Sequence, residues 1–256
     1  MQTKNYSIIY NLLSIVIIFC LIFWTSVWWS TKKQTFKNPT VMLSGTKIFN
    51  DKHYFDFLYK DNKTDHNNIN IKEYKQILSK HPFIKVFRTS NRYPDQIIID
   101  IKEREPFAII NKNPMVLLDD NGYVMPYNEN SKHFNVPILS KFNTASELYP
   151  EGKKTLSMKV MDTISWLKLL NKNYPKLYNE ISEITLTNED EINLILTNQA
   201  TKVILGNKNT IEKLKILQKF KELVIENNKI SDIAYLDMRY ENQIIVKENK
   251  NINEKQ

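Results

Sequence analysis

Cysteine is almost missing: Cys20 is the sole thiol among 256 residues. One thiol excludes an intrachain disulfide, so any folded part must be held by its core alone. Glycine is scarce as well. Gly45, Gly122, Gly152 and Gly206 stand isolated. That excludes a phosphate-cradling loop, in which several close glycines let backbone N–H groups converge. Of the four histidines, His53, His66, His81 and His133, no two show the i,i+4 spacing of a helical zinc site. With no second cysteine to help, each reads as a surface or half-buried side chain. A G-x-S-x-G nucleophile elbow is absent too. Two carboxylate pairs, Asp119-Asp120 and Glu103/Glu105, remain. A glycosidase needs two carboxyls roughly 5–9.5 Å apart across a cleft. A turn accounts for the first pair and a strand end for the second. The sequence offers no catalytic set, no metal site and no cofactor motif.

What is present has an ordinary globular balance, with 42% hydrophobic and 25% charged residues. The net charge of +8 raises the question of a phosphate-bearing partner. The lysines are interleaved with Glu and Asp, and Lys, Asn and Ile recur throughout. That pattern reads as a solvated surface, and no nucleic-acid partner is expected.

Ile8 to Trp29 contains no charged side chain. At about 1.5 Å per residue this stretch reaches roughly 33 Å, enough for a hydrocarbon core of about 30 Å. Tyr6 and Tyr10 flank one end, and Trp24, Trp28 and Trp29 the other, as amphipathic rings at two headgroup levels would. A cleaved signal peptide would have a shorter apolar region and small residues before its cleavage site. Here tryptophans lead into Ser30-Thr31-Lys32, which favours a retained anchor. Cys20 then lies in lipid, where a thiolate is disfavoured. Only Lys4 precedes the span, whereas Lys32, Lys33 and Lys37 follow it. The positive-inside tendency alone would keep the C-terminal side in the cytoplasm, although long domains cross despite local charge.

Beyond a polar linker, Pro39 to Gly45 reads as a strand closed by a turn glycine. Asn50 or Asp51 can cap a helix with Tyr54, Phe55, Phe57 and Leu58 on its apolar face. Residues 61–68 are loop-like. Asn70 with Glu73 resembles a capping box for a helix burying Ile71, Tyr74, Ile77 and Leu78, which Pro82 ends. Strands are predicted over 83–92 and 96–103, joined by a turn at Asn91-Arg-Tyr-Pro-Asp95. Ile97, Ile99 and Ile101 share one face of the second strand. The order is β-α-α-β-β. Then Met115–Asp119 and Tyr123–Pro126 flank Asp-Asn-Gly, a hairpin signal because Asn-Gly tolerates positive φ. A helix is predicted from Leu156 to Leu170 through Val160, Met161, Ile164 and Leu167. Strands follow at 181–187, 191–197 and 202–205. A second helix, 210–226, should turn Ile211, Leu214, Leu217, Phe220 and Val224 inward. Strands at 233–240 and 243–247 close the pattern before a polar tail, predicted to be disordered.

Seven local motifs occur in one order. They are Val41-Met-Leu-Ser-Gly45, His81-Pro-Phe-Ile-Lys-Val86, Asn91-Arg-Tyr-Pro with Ile97–Ile101, Glu103-Arg-Glu-Pro-Phe-Ala108, Leu118-Asp-Asp-Asn-Gly-Tyr-Val124, Val136-Pro-Ile-Leu139 and Ala234-Tyr-Leu-Asp-Met-Arg-Tyr240. Following one apolar span, this set resembles the FtsQ (DivIB) bacterial cell-division family. The resemblance implies an α+β chain: a transmembrane helix, a β-α-α-β-β POTRA domain and a mixed β domain with two helices. The boundaries are a cytoplasmic tail 1–7, transmembrane helix 8–29, linker 30–38, POTRA domain 39–108, β domain 109–247 and tail 248–256.

The same resemblance implies a non-catalytic, single-pass inner-membrane scaffold at the division septum, with a cytoplasmic N-terminus and a periplasmic bulk. Its implied partners are other divisome membrane proteins: FtsB/FtsL-like coiled-coil proteins and septal peptidoglycan synthesis proteins. The end of the β domain would take a partner segment by strand addition, through Asp237, Arg239, Tyr240, Glu241, Asn242, Gln243, Ile244, Ile245 and Val246. From the residues alone, Leu236, Met238 and Tyr240 could equally pack the core while Arg239 and Asp237 pair outside. A second candidate surface is Lys85, Arg88 and Arg92 of the POTRA part, against the plainer reading of a solvated basic face. Two rival functions fit the residues less well. A POTRA-bearing membrane assembly or translocation factor needs a large β-barrel after its POTRA units, and the remaining residues hold two amphipathic helices instead. A membrane-anchored cell-wall hydrolase needs a catalytic set.

Overall fold

A computed structural model describes residues 3–32, 40–60, 71–92, 96–128, 134–197, 200–226, 233–241 and 243–248. Several expectations lie outside them: linker residues 33–38, the 61–68 loop, Asn70 of the capping box, the turn residues 93–95, His66, His133, Asn242 and tail residues 249–256; the first three residues of the expected linker, 30–32, instead continue the apolar helix. The chain divides into two compact units, Met1–Leu78 with Phe87–Ile101, and Ser79–Val86 with Lys102–Gln256.

The first unit begins with helix α1, Thr3–Lys32. Its stretch Leu12–Trp29 is long and apolar enough to cross a membrane. Such a helix fits a single-pass membrane protein. Strand β1 (Thr40–Ser44) and helices α2 (Asp51–Tyr59) and α3 (Ile71–Leu78) follow, then strands β2 (Ile84–Arg92) and β3 (Gln96–Glu103). The sheet order is β1-β3-β2. β1 runs parallel to β3, with Val41 opposite Ile97 and Leu43 opposite Ile99. Asn50 is the cap of α2: its Oδ1 accepts the His53 N–H at 3.0 Å. Tyr54, Leu58, Tyr74, Leu78, Ile97, Ile99 and Ile101 are buried, following the helical and alternating periods of their elements. Gly45 has φ +83°, and a Cβ there would meet the Ile101 carbonyl oxygen at 2.2 Å. Only glycine fits.

The second unit is built on a nine-stranded sheet, order β12-β11-β10-β9-β8-β7-β4-β5-β6 among the described residues. Its strands are β4 (Pro106–Ile110), β5 (Val116–Asp119), β6 (Val124–Pro126), β7 (Ile138–Ser140), β8 (Ile181–Leu186), β9 (Ile192–Leu196), β10 (Lys202–Gly206), β11 (Ile233–Asp237) and β12 (Ile245–Glu248). Helices α4 (Met158–Asn173), α5 (Pro175–Glu180) and α6 (Thr210–Glu226) complete it. β10 and β11 are parallel, and α6 supplies the crossover between them. Val160, Ile164, Leu167 and Leu170 of α4, with Leu214 and Leu217 of α6, join the sheet's Leu139, Ile184, Leu194, Val203 and Leu236 in one core. Tyr178 fastens α5 to β4: its hydroxyl donates to the Phe107 carbonyl at 2.8 Å, and the two rings stack 5.0 Å apart. Burial raises the Tyr178 hydroxyl pKa above its ordinary value.

Some expectations need correcting. Ile211, expected inward, is 43% exposed in the first turn of α6, where the helix has only begun. The first long helix begins at Met158, with Leu156 exposed ahead of it. The strand expected to reach Tyr240 stops at Asp237. His81 is buried, and its Nδ1 accepts the Phe83 N–H at 3.3 Å.

Candidate partner-docking edge

The sheet's rim is laid down by its last two strands. β12 pairs antiparallel with β11, placing Val246 opposite Leu236 and Ile245 opposite Asp237. Its other side faces no strand among the described residues. Ile245 and Val246 are 44% and 40% exposed. An unpaired strand flank presents N–H and C=O groups at the spacing an incoming extended peptide needs.

A groove of about 460 Å³ opens beside this rim. Glu212, Lys213 and Ile216 of α6 form one wall, and Met238, Tyr240 and Ile244 belong to the other. Tyr240 is 54% exposed, so of its two readings the core-packing one is excluded. Leu236 and Met238 do pack the core, and Ile244 leans on it. Glu241 and Gln243 are exposed and line the groove. Apolar floor, aromatic wall and charged lip together make a cleft suited to a peptide side chain.

Asp237 and Arg239 are joined to each other. The guanidinium Nη2 donates to Asp237 Oδ2 at 2.7 Å, and Nε donates to Oδ1 at 3.1 Å. The Arg239 backbone N–H adds a bond to Oδ1 at 3.0 Å. The Arg239 side-chain hydrogen bond is the leading cause that holds the Asp237 carboxyl below its ordinary range, and it outweighs burial. Lys213 donates to the Leu205 carbonyl at 2.7 Å. Burial lowers its pKa, opposed by the charges of Asp237, Glu191 and Glu241.

The basic surface divides. Lys85 is paired with Asp120 at 3.2 Å, and Lys168 reaches the same carboxylate at 2.9 Å. Burial pushes the Asp120 pKa up, but hydrogen bonds from Lys168 and Lys85 more than offset it, leaving the group below its ordinary range. Arg88 and Arg92 are exposed on β2, in the other compact unit. The hairpin tip beside Lys85 has its own web. Arg104 Nη1 donates to the buried Asp119 Oδ2 at 2.7 Å, and its guanidinium lies 3.7 Å over the Tyr123 ring. Asp119 Oδ1 accepts the N–H groups of Asn121 and Tyr123. The adjacent carboxylates therefore serve a turn. Among the described residues, no group of three His, Cys, Asp or Glu side chains is arranged to hold a metal ion.

Comparison with known proteins decides the family. The model of "Cell division protein FtsQ/DivIB, C-terminal" matches residues 108–239, more than half of the chain. The chain belongs to the FtsQ/DivIB family. A cell division protein FtsQ of Syntrophotalea carbinolica is 27% identical over 171 residues, covering 66% of this chain and 59% of that relative. The FtsQ of Neisseria gonorrhoeae is 25% identical, covering 81% of this chain and 78% of its own length. The FtsQ of Rickettsia bellii is 25% identical over 87% of this chain and 76% of its own. For the first relatives the match spans about three fifths of their length. The chain is thus a cell-division protein of the FtsQ kind with a helix fit for one membrane span. The family match stops at Arg239, so the groove residues from Tyr240 onward lie past it.

Proposed function

We propose that this FtsQ-family chain is a non-catalytic bitopic scaffold of the bacterial division complex. Its N-terminus is cytoplasmic, its body periplasmic, and it works at the septum. It captures the membrane-distal segment of an FtsB/FtsL-like coiled-coil protein by strand addition along β12, and through that partner links to septal peptidoglycan synthesis. The observation carrying this reading is the rim itself: among the described residues β12 is paired on one flank only, next to a groove walled by Tyr240 and α6. Backbone bonds along the rim supply affinity, and the groove selects the side chain that enters it. Arg88 and Arg92 give the β-α-α-β-β unit a basic face for a further division partner.

The test is Tyr240→Glu. Tyr240 is exposed and outside the hydrophobic core, so the variant should melt as the parent does. Its binding to the periplasmic fragment of the FtsB-like protein from the same genome should be lost in a pull-down. Unchanged capture would remove this site from the mechanism.

A further inference from the structure

Two residues of the docking segment do not face the groove at all. Asp237 and Arg239 alternate with Met238, and of the three only Met238 lines the groove. Arg239 instead turns three of its nitrogens toward its own chain. Nε and Nη2 hold the Asp237 carboxylate, and Nη1 lies 3.5 Å from Glu191. Its aliphatic stem passes over Gly206: a Cβ there would lie 3.2 Å from Arg239 Cγ and 3.7 Å from Lys213 Nζ. Gly206 has φ +77°, and the β9–β10 register shifts between Ile204 and Gly206. A side chain at this position would be strained and would push against the stem. Meanwhile the Met238 N–H donates to the Ile204 carbonyl at 2.9 Å, one residue past the end of β11. Met238 is therefore held from both sides while its side chain lines the groove.

We infer that Arg239 is a positioning residue, and that with Asp237, Glu191 and Gly206 it forms a lock that sets the chain leaving β11 before any partner arrives. The inference rests on reading β12 as the docking rim. Its logic is preorganisation. A rim already fixed in its bound shape takes up a peptide without ordering its own backbone first, whereas a loose rim must be ordered at the moment of binding. Glu191 precedes β9, Gly206 ends β10 and Arg239 follows β11, so one arginine side chain, by its guanidinium and its stem, touches three neighbouring strands at the end where the chain turns toward β12. Lys213 connects this lock to the groove, because it packs by Gly206 and lines the cleft.

The experiment uses the full chain in detergent, with the fluorescein-labelled periplasmic fragment of the FtsB-like protein from the same genome as probe. Asp237→Asn keeps the shape but removes the charge that orients Arg239. It should weaken binding about tenfold. Glu191→Gln lies at the less buried arm and should cost about threefold. The deciding readout is made without partner: in both variants the amides from Tyr240 to Val246 should exchange hydrogen faster than in the parent. A direct-contact role for Arg239 would leave that exchange unmoved, so weaker binding with parental exchange overturns the lock. Parental binding in both variants overturns it as well. Should Asp237→Asn fail to fold, Glu191→Gln still decides by the same two readings. Tyr240→Glu separates the two levels: if it too binds normally, the docking rim itself is wrong, whereas its failure beside a normally binding Asp237→Asn removes only the lock.

Discussion

At the scale of single residues, backbone geometry sets the strictest demands. Gly45 combines a left-handed φ of +83° with a carbonyl oxygen 2.2 Å from where a Cβ would sit. Gly45→Ala must therefore shift β1 away from Ile101 or hold a strained backbone, at a cost of about 2–3 kcal/mol. A lowered melting temperature of the β-α-α-β-β unit, followed by tyrosine fluorescence, is the expected outcome; a parental melting curve would contradict the geometry. The importance of Gly45 was legible in the sequence, since a glycine closing an apolar run signals a turn. Gly206 was not. Its role depends on Arg239, 33 residues further along the chain, and no local pattern announces that meeting. Tyr240 was ambiguous for a related reason: alternation from Leu236 and Met238 extends to it, but the strand has already ended at Asp237.

At the scale of elements, the β5–β6 hairpin shows how a turn signal becomes a tertiary joint. Asp119 is a turn residue that also receives the buried Arg104 guanidinium. Asp119→Ala removes both the turn bonds and the partner of a buried cation, a loss of about 3–5 kcal/mol. Thermal unfolding of the purified chain should fall accordingly, and a change within experimental error would show that solvent reaches Arg104 freely. The long helices were readable because their periods extend over enough residues to repeat, and this hairpin because its Asp-Asn-Gly turn announces it. β4 was missed because its residues after Pro106 are all buried, leaving no alternation to see. α5, six residues long, is too short to express a period, and β7, three residues, was legible only through the Val136–Leu139 motif. Ile211 was misplaced because the pattern fixes a side chain's face but not how deeply that face is covered at a helix end.

At the scale of the whole molecule, the open question in the sequence is which side of the bilayer receives the body. Lys32, Lys33 and Lys37 argue for the cytoplasm, and the scaffold proposal requires the opposite. Alkaline phosphatase fused after Gln256 should be active, because that enzyme matures only where its disulfides form. An inactive but stable fusion would withdraw the periplasmic docking proposal entirely. The family was legible from seven ordered motifs and is shown by the match over residues 108–239. The groove was not legible, since α6 and the segment after β11 build it from separate stretches of chain.

The sheet's strand order carries a consequence for timing. β12 follows every other described strand of its sheet in chain order, yet it is the one that forms the rim. A nascent chain that has passed Asp237 but not Ile245 already contains the core, with β11 left as a provisional border whose residues Leu236 and Asp237 are built for burial. On the proposed docking reading, the recruiting edge is therefore complete only after residue 248 has been made, later than the rest of the described sheet.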